Sequence, residues 1–167
     1  LGCGDGRLTA ALRVSDSYQV QGLDRDAASV RKARESIQAQ GTYGVISVDQ
    51  LASDRLPYID NLINLIVTDN LSGIAMAEVM RVLVPNGVAY VREGSTWKKA
   101  VKPRPENIDD WTHYLHRPDG NAVAHDDVVG PPKHLQWLGS PRWSRHHDRM
   151  ASMSALVSAN GRIFYIM

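Results

Sequence analysis

Three glycines at alternate positions, Gly2, Gly4 and Gly6 in "LGCGDGRLTAAL", run directly into apolar residues at helical spacing. Glycine has no Cβ, so such a loop can turn sharply and let a ligand approach its backbone amides. Two ligand classes suit that geometry: the pyrophosphate of a dinucleotide, drawn to a helix N-terminus, or a nucleoside without phosphate. The dinucleotide spacing is G-x-G-x-x-G. Here it is G-x-G-x-G, with Asp5 inside the loop. A carboxylate a few ångströms from a pyrophosphate repels it by about 1–4 kcal/mol at effective dielectrics between about 80 and 20. A nucleoside meets no such opposition.

Asp24 follows Gly2 by 22 positions, close to the spacing of about 20 for a carboxylate that accepts ribose hydroxyls. S-adenosylmethionine carries a sulfonium, an α-ammonium group and a ribose diol, all served by acids and backbone groups. Asp49, at the end of the next apolar run, is placed to face the adenine amino group. Each acid has an alternative role as a cap on the helix that follows it. Methyl transfer from a sulfonium is an in-line displacement that asks the protein mainly to position donor and acceptor. The acceptor side falls at "TDNL", where Asp69 and Asn70 can contact a substrate or cap a turn. Cys3 reads as a small packing residue rather than a nucleophile.

The elements that must position these residues alternate. Leu8, Ala11 and Leu12 predict a first helix, with Gly6 or Asp5 at its start. "YQVQGLD" is a short strand ending on Asp24, and Asp26 is the N-cap of a helix whose buried stripe is Val30, Ala33 and Ile37, ending at Gly41. "GVISVD" is a strand ending on Asp49. "NLINLIVTDNL" is apolar almost throughout, the pattern of a strand buried on both faces of a parallel sheet. Met76, Val79, Met80 and Leu83 form the next helical stripe with Ser72 as N-cap, and a Pro85-Asn86-Gly87 turn leads to the strand "VAYVRE". Alternating strands and helices predict an α/β, Rossmann-like doubly wound parallel sheet, with ligands beyond the carboxyl ends of its strands.

Taken together, residues 1–93 resemble the class I S-adenosylmethionine-dependent methyltransferase core. "LGCGDG" is similar to its glycine loop, "GLDRD" to its ribose-binding segment, "VDQL" to its adenine side, and "EVMRVLVPNGVAYV" to its E-x-x-R-V-L-x-P-G-G helix, turn and strand. The resemblance implies that Gly2, Cys3, Gly4, Asp24, Arg25, Asp49, Gln50 and Asp69 bind S-adenosyl-L-methionine. It also implies that a first strand and an acid for the ligand's ammonium group precede Leu1, so the chain reads as truncated and the sheet as incomplete. "GSTWKKAVKPRP" reads as linker instead of the antiparallel hairpin that closes the family's sheet. The "DNL" segment lacks the prolines and the aromatic residue of nucleobase amino-methylases, and no acceptor is named by it.

The composition shifts after that linker. Residues 97–167 turn basic and hold all six histidines. The reading is therefore a methyltransferase-like domain at 1–96, a linker at 97–108 and a β-rich fragment at 109–167. In the last, Trp111, Trp137 and Trp143 are interleaved with Gly, Pro and His, and Asn160-Gly161 between two β-rich runs signals a two-residue hairpin turn. The segment resembles the opening of a pyrroloquinoline-quinone-type β-propeller, which implies further blades beyond Met167; no quinone-site residue is carried over, and this chain gives that cofactor no support. His113, His116, His125, His146, His147 and Asp148 offer metal-ligand chemistry, against a reading as polar surface.

A single cysteine excludes an internal disulfide and a CxxC knuckle. A formal charge of +1, with acids among the bases, gives no nucleic-acid footprint. No apolar run reaches the roughly 18 residues of a membrane span. Three readings follow: a methyltransferase-like protein fused to a propeller, a binding or scaffold protein with a degenerate methyltransferase domain, and a quinoprotein oxidoreductase whose chemistry lies downstream. A cytosolic methyl donor points to the cytoplasm, an exported propeller to the periplasm.

Overall fold

The computed structural model describes residues 1–71, 73–128 and 155–165. The chain divides into two units, Leu1–Lys102 and Pro103–Met167.

In the first unit the glycine loop opens into α1, Arg7–Ala11. Its buried residue is Thr9, while Leu8 is 53% exposed and Ala11 also faces solvent, so the expected Leu8–Ala11–Leu12 stripe is not the packed one. A five-residue helix has too few turns for periodicity to fix its inner face. Strand β1, Val20–Asp24, pairs in parallel with β2, Ile46–Gln50, from Val20 opposite Ile46 to Asp24 opposite Gln50. Helix α2, Ala27–Ala39, connects them and buries Val30, Ala33 and Ile37. Asp26 caps it as expected, accepting hydrogen bonds from the amides of Ala28 and Ser29, and Gly41 follows its end at φ 68°.

A second sheet has the order β3-β4-β5. Strand β3, Ile63–Thr68, is parallel to β4, Leu83–Glu93, and β4 is antiparallel to β5, Thr96–Val101. Two expectations change here. Residues 96–101 are a strand and not the start of a linker, because the Gly94 turn (φ 62°) folds the chain back along β4. Pro85-Asn86-Gly87 does not separate a helix from a strand; it lies inside β4, where Asn86 (φ 64°) shifts the register against β3. Gly87 is required there, since a Cβ would stand 2.7 Å from the Val84 carbonyl oxygen.

Helix α3, Met76–Val82, crosses between β3 and β4 and buries Val79 and Val82. Its N-cap is Ala75, without a side-chain cap, and not Ser72, which lies outside the described residues. Helices α1 and α2 pack on one face of β1 and β2, around Cys3 and Val48. Helix α3 packs on the opposite face, with Leu23, Ile66 and Ala89. The arrangement is thus doubly wound. Leu65 in β3 is 44% exposed, so β3 is not buried on both sides as its apolar sequence predicts.

The two sheets are joined at the glycine loop. The Leu1 amino group donates to the Val67 carbonyl at 2.8 Å, and the Gly2 amide donates to the Leu23 carbonyl at 2.7 Å. Leu1 and Gly2 therefore occupy the place between β1 and β3.

In the second unit, β6, Leu156–Ala159, and β7, Arg162–Tyr165, form the expected hairpin. Asn160 and Gly161 both have positive φ, 50° and 72°, as a type I′ turn requires. Trp137, Trp143, His146, His147 and Asp148 lie outside the described residues.

Candidate nucleoside site

The loop glycines take φ values of 69°, 53° and 82° at Gly2, Gly4 and Gly6, a region that costs other residues strain. Gly6 is held twice, because a Cβ there would meet the backbone and side chain of Ala33 at 3.1 Å, where α1 enters against α2. Gly22 is needed for a related reason: a Cβ would stand 2.9 Å from Cys3 Cβ. The loop thus rests directly on β1.

Asp24 reaches back to this loop. Its Oδ2 accepts the Gly4 amide at 3.1 Å and its Oδ1 accepts the Asp26 amide at 3.0 Å. A carboxylate offers about four acceptor positions; two take these amides and a third takes the Cys3 thiol, which leaves room for a ligand hydroxyl. Beneath it, burial pushes the Cys3 thiol up to about 11, helped by the Asp24 charge. Cys3 therefore stays protonated and packs rather than reacts. Asp5 accepts the Arg7 amide and pairs with its guanidinium at 3.3 Å, which offsets part of the repulsion expected of a lone carboxylate.

The parallel register sets Gln50 beside Asp24, and their side chains share a face. Gln50 Nε2 donates to the Arg25 carbonyl at 3.1 Å, while the Arg25 guanidinium pairs with Asp54. Gly2, Cys3, Gly4, Asp24, Arg25 and Gln50 are thus brought together. Asp49 is one residue out of phase and turns to the other face. Both of its oxygens are engaged, Oδ1 by Arg34 Nη2 at 2.8 Å and Oδ2 by Gln21 Nε2 at 2.7 Å. Asp69 follows β3, two residues past Val67, and pairs with Arg92 at 3.6 Å.

Sequence reasoning missed the partners of Asp49. Tyr58 donates its hydroxyl to Gln21 Oε1 at 2.8 Å, and burial, with the Asp49 charge, pushes its phenol up to about 12. The signal available was the E-x-x-R pair Glu78 and Arg81, whose side chains anchor the segment carrying Tyr58.

With this geometry in place, the chain matches the family model of a methyltransferase domain over residues 1–87, just over half its length. The chain belongs to this methyltransferase-domain family. Solved structures similar to it include the cyclase SpnF (23% identity, 54% of this chain and 35% of that one, TM-score 0.49). Geranyl diphosphate methyltransferase in complex with SAM is another (17%, 54% and 38%, TM-score 0.49), as is the YcgJ protein from Bacillus subtilis (26%, 54% and 40%, TM-score 0.46). The chain spans 35% to 40% of the length of these three. No curated protein matches it.

The methyltransferase-domain match does not reach the second unit. There His116 is fully buried, with Nε2 2.6 Å from Asp109 Oδ2 and its ring against Trp111 and His125. The His125 amide, together with His116, holds the Asp109 carboxyl down at about 2. Among the described residues no group of three or more His, Cys, Asp or Glu could hold a metal ion. Nor is any described helix long and apolar enough to cross a membrane.

Proposed function

We propose that the first unit binds S-adenosylmethionine and serves a methyl transfer to an acceptor of undefined class. The observation that carries this reading is Asp24, which is fastened to the glycine loop through the Gly4 amide and the Cys3 thiol and still has acceptor capacity. In this reading the ribose hydroxyls donate to Asp24. The positive-φ turns at Gly2 and Gly4 let the nucleoside lie against the backbone, with open space where a Cβ would stand. Bound there, the sulfonium supplies an activated methyl group. The chain's own residues position and shield it, with Arg25 and Gln50 at the ribose side, Asp49 toward the adenine and Asp69 on the acceptor side.

Calorimetric titration of the whole chain with S-adenosylmethionine tests the proposal. The expected result is micromolar binding that weakens at least about tenfold in Asp24→Ala. Folded protein that gives no heat with this ligand contradicts it.

A second reading draws on the hairpin β6–β7 and its Asn160-Gly161 turn. In it the second unit opens a quinone-type propeller that makes the molecule's contacts, and the methyltransferase domain is a degenerate support. Titratable binding of the methyl donor separates the two.

A further inference from the structure

The segment 51–62 joins the first sheet to the second, and it has no helix or strand of its own. Its shape is imposed by α3. Glu78 and Arg81, one turn apart and only 17% and 19% exposed, form a bidentate pair at 2.7 and 2.8 Å. The spare capacity of both side chains goes into the segment. Glu78 Oε1 accepts the Leu56 amide at 2.8 Å, and Arg81 Nη1 donates to the Tyr58 carbonyl at 2.9 Å and to Asp60 Oδ1 at 2.6 Å. Just beyond, the Asn61 and Leu62 amides donate to the carbonyls of Arg81 and Val82.

What the segment carries leads back to Arg25 and to Asp49 by two routes. Asp54 holds the guanidinium of Arg25, the residue next to Asp24. Tyr58 donates to Gln21 in β1, and Gln21 donates to Asp49 in β2. We infer that the Glu78–Arg81 pair is a positioning device for the nucleoside, fixing through segment 51–62 the placement of Arg25 beside Asp24 and of the Gln21–Asp49 pair on the opposite face of the same strands. The inference rests on the nucleoside reading above. A merely structural pair would contribute stability and leave the affinity of the folded protein untouched. A planar fork is essential to the device, because one guanidinium must meet a carboxylate edge-on while donating to the Tyr58 and Leu56 carbonyls and to Asp60.

The test compares Arg81→Lys and Tyr58→Phe with the unaltered whole chain, at a temperature where circular dichroism shows all three folded. Hydrogen exchange by mass spectrometry follows segment 51–62, and calorimetry follows S-adenosylmethionine. Arg81→Lys keeps the charge and loses the fork. Faster exchange in the segment and a Kd raised roughly tenfold or more are expected, in line with the loss of groups that orient a binding site. Tyr58→Phe removes only the hydroxyl that reaches Gln21, and a rise of a few-fold in Kd is expected. If Arg81→Lys does not fold, Tyr58→Phe decides alone. Unaltered protein that binds while the folded variants bind equally well overturns the inference and leaves the nucleoside reading standing. Unaltered, folded protein that does not bind overturns both.

Discussion

Asp24 ties two turns of the chain together with one carboxylate. Its two hydrogen bonds to backbone amides fix the loop before α1 and the turn before α2. The cap of α2 is Asp26, and Asp24 holds the amide of that cap residue. Gly22, two residues earlier, is the more sensitive position for folding. A methyl group there overlaps Cys3 Cβ at 2.9 Å and the Thr9 side chain at 3.1 Å, and these belong to the loop and to α1. Gly22→Ala should destabilise the first unit by about 1–3 kcal/mol, read as a lower midpoint in urea denaturation. The glycine loop and its acid were legible in the sequence because glycine at positive φ and a carboxylate at fixed spacing leave few alternatives. Asp49 was less legible. Spacing placed it at a strand end, but the face it occupies depends on a register set by pairing with β1.

Among the elements, α2 was the most readable and α1 and α3 the least. Thirteen residues give enough turns for Val30, Ala33 and Ile37 to mark the buried face, and Asp26 and Gly41 mark its ends. Asp26→Ala removes the acceptor for the Ala28 and Ser29 amides and should cost about 1 kcal/mol, visible as a lower Tm. Helix α3, with seven residues, starts without a side-chain cap, so nothing local announced its first turn. Strand β4 was misjudged at one end because Pro85-Asn86-Gly87 reads as a turn, whereas the structure uses Asn86 to shift register within a strand. Strand β5 was hidden because its alternation is broken by Lys98 and Lys99 on an edge, where charge rather than apolar spacing is the usual composition.

At the largest scale, the two sheets of the first unit put a premium on the links between them. Leu1 and Gly2 make one, and the Glu78–Arg81 pair with segment 51–62 makes another. Such long-range links are invisible to local periodicity, although the E-x-x-R spacing hinted at the pair. Arg81 holds the Glu78 carboxyl at about 2, below its ordinary 4.5. A carboxyl depressed on folding contributes stability that is present above its unfolded pKa and is lost as pH falls toward the folded value. The urea midpoint should therefore drop between about pH 4.5 and 2, and Glu78→Gln should flatten that portion of the profile while lowering stability at neutral pH. An unchanged acid limb in the variant would assign the drop to other carboxylates.

The ligand that lies against the glycine loop decides the nucleoside reading. A crystal of the chain grown with S-adenosylmethionine and NAD offered in competition tests that directly. The predicted result is the methyl donor in the crevice, with its ribose hydroxyls within about 3.2 Å of the Asp24 carboxylate. A dinucleotide pyrophosphate on the loop amides, or a methyl donor whose ribose lies away from Asp24, would contradict it.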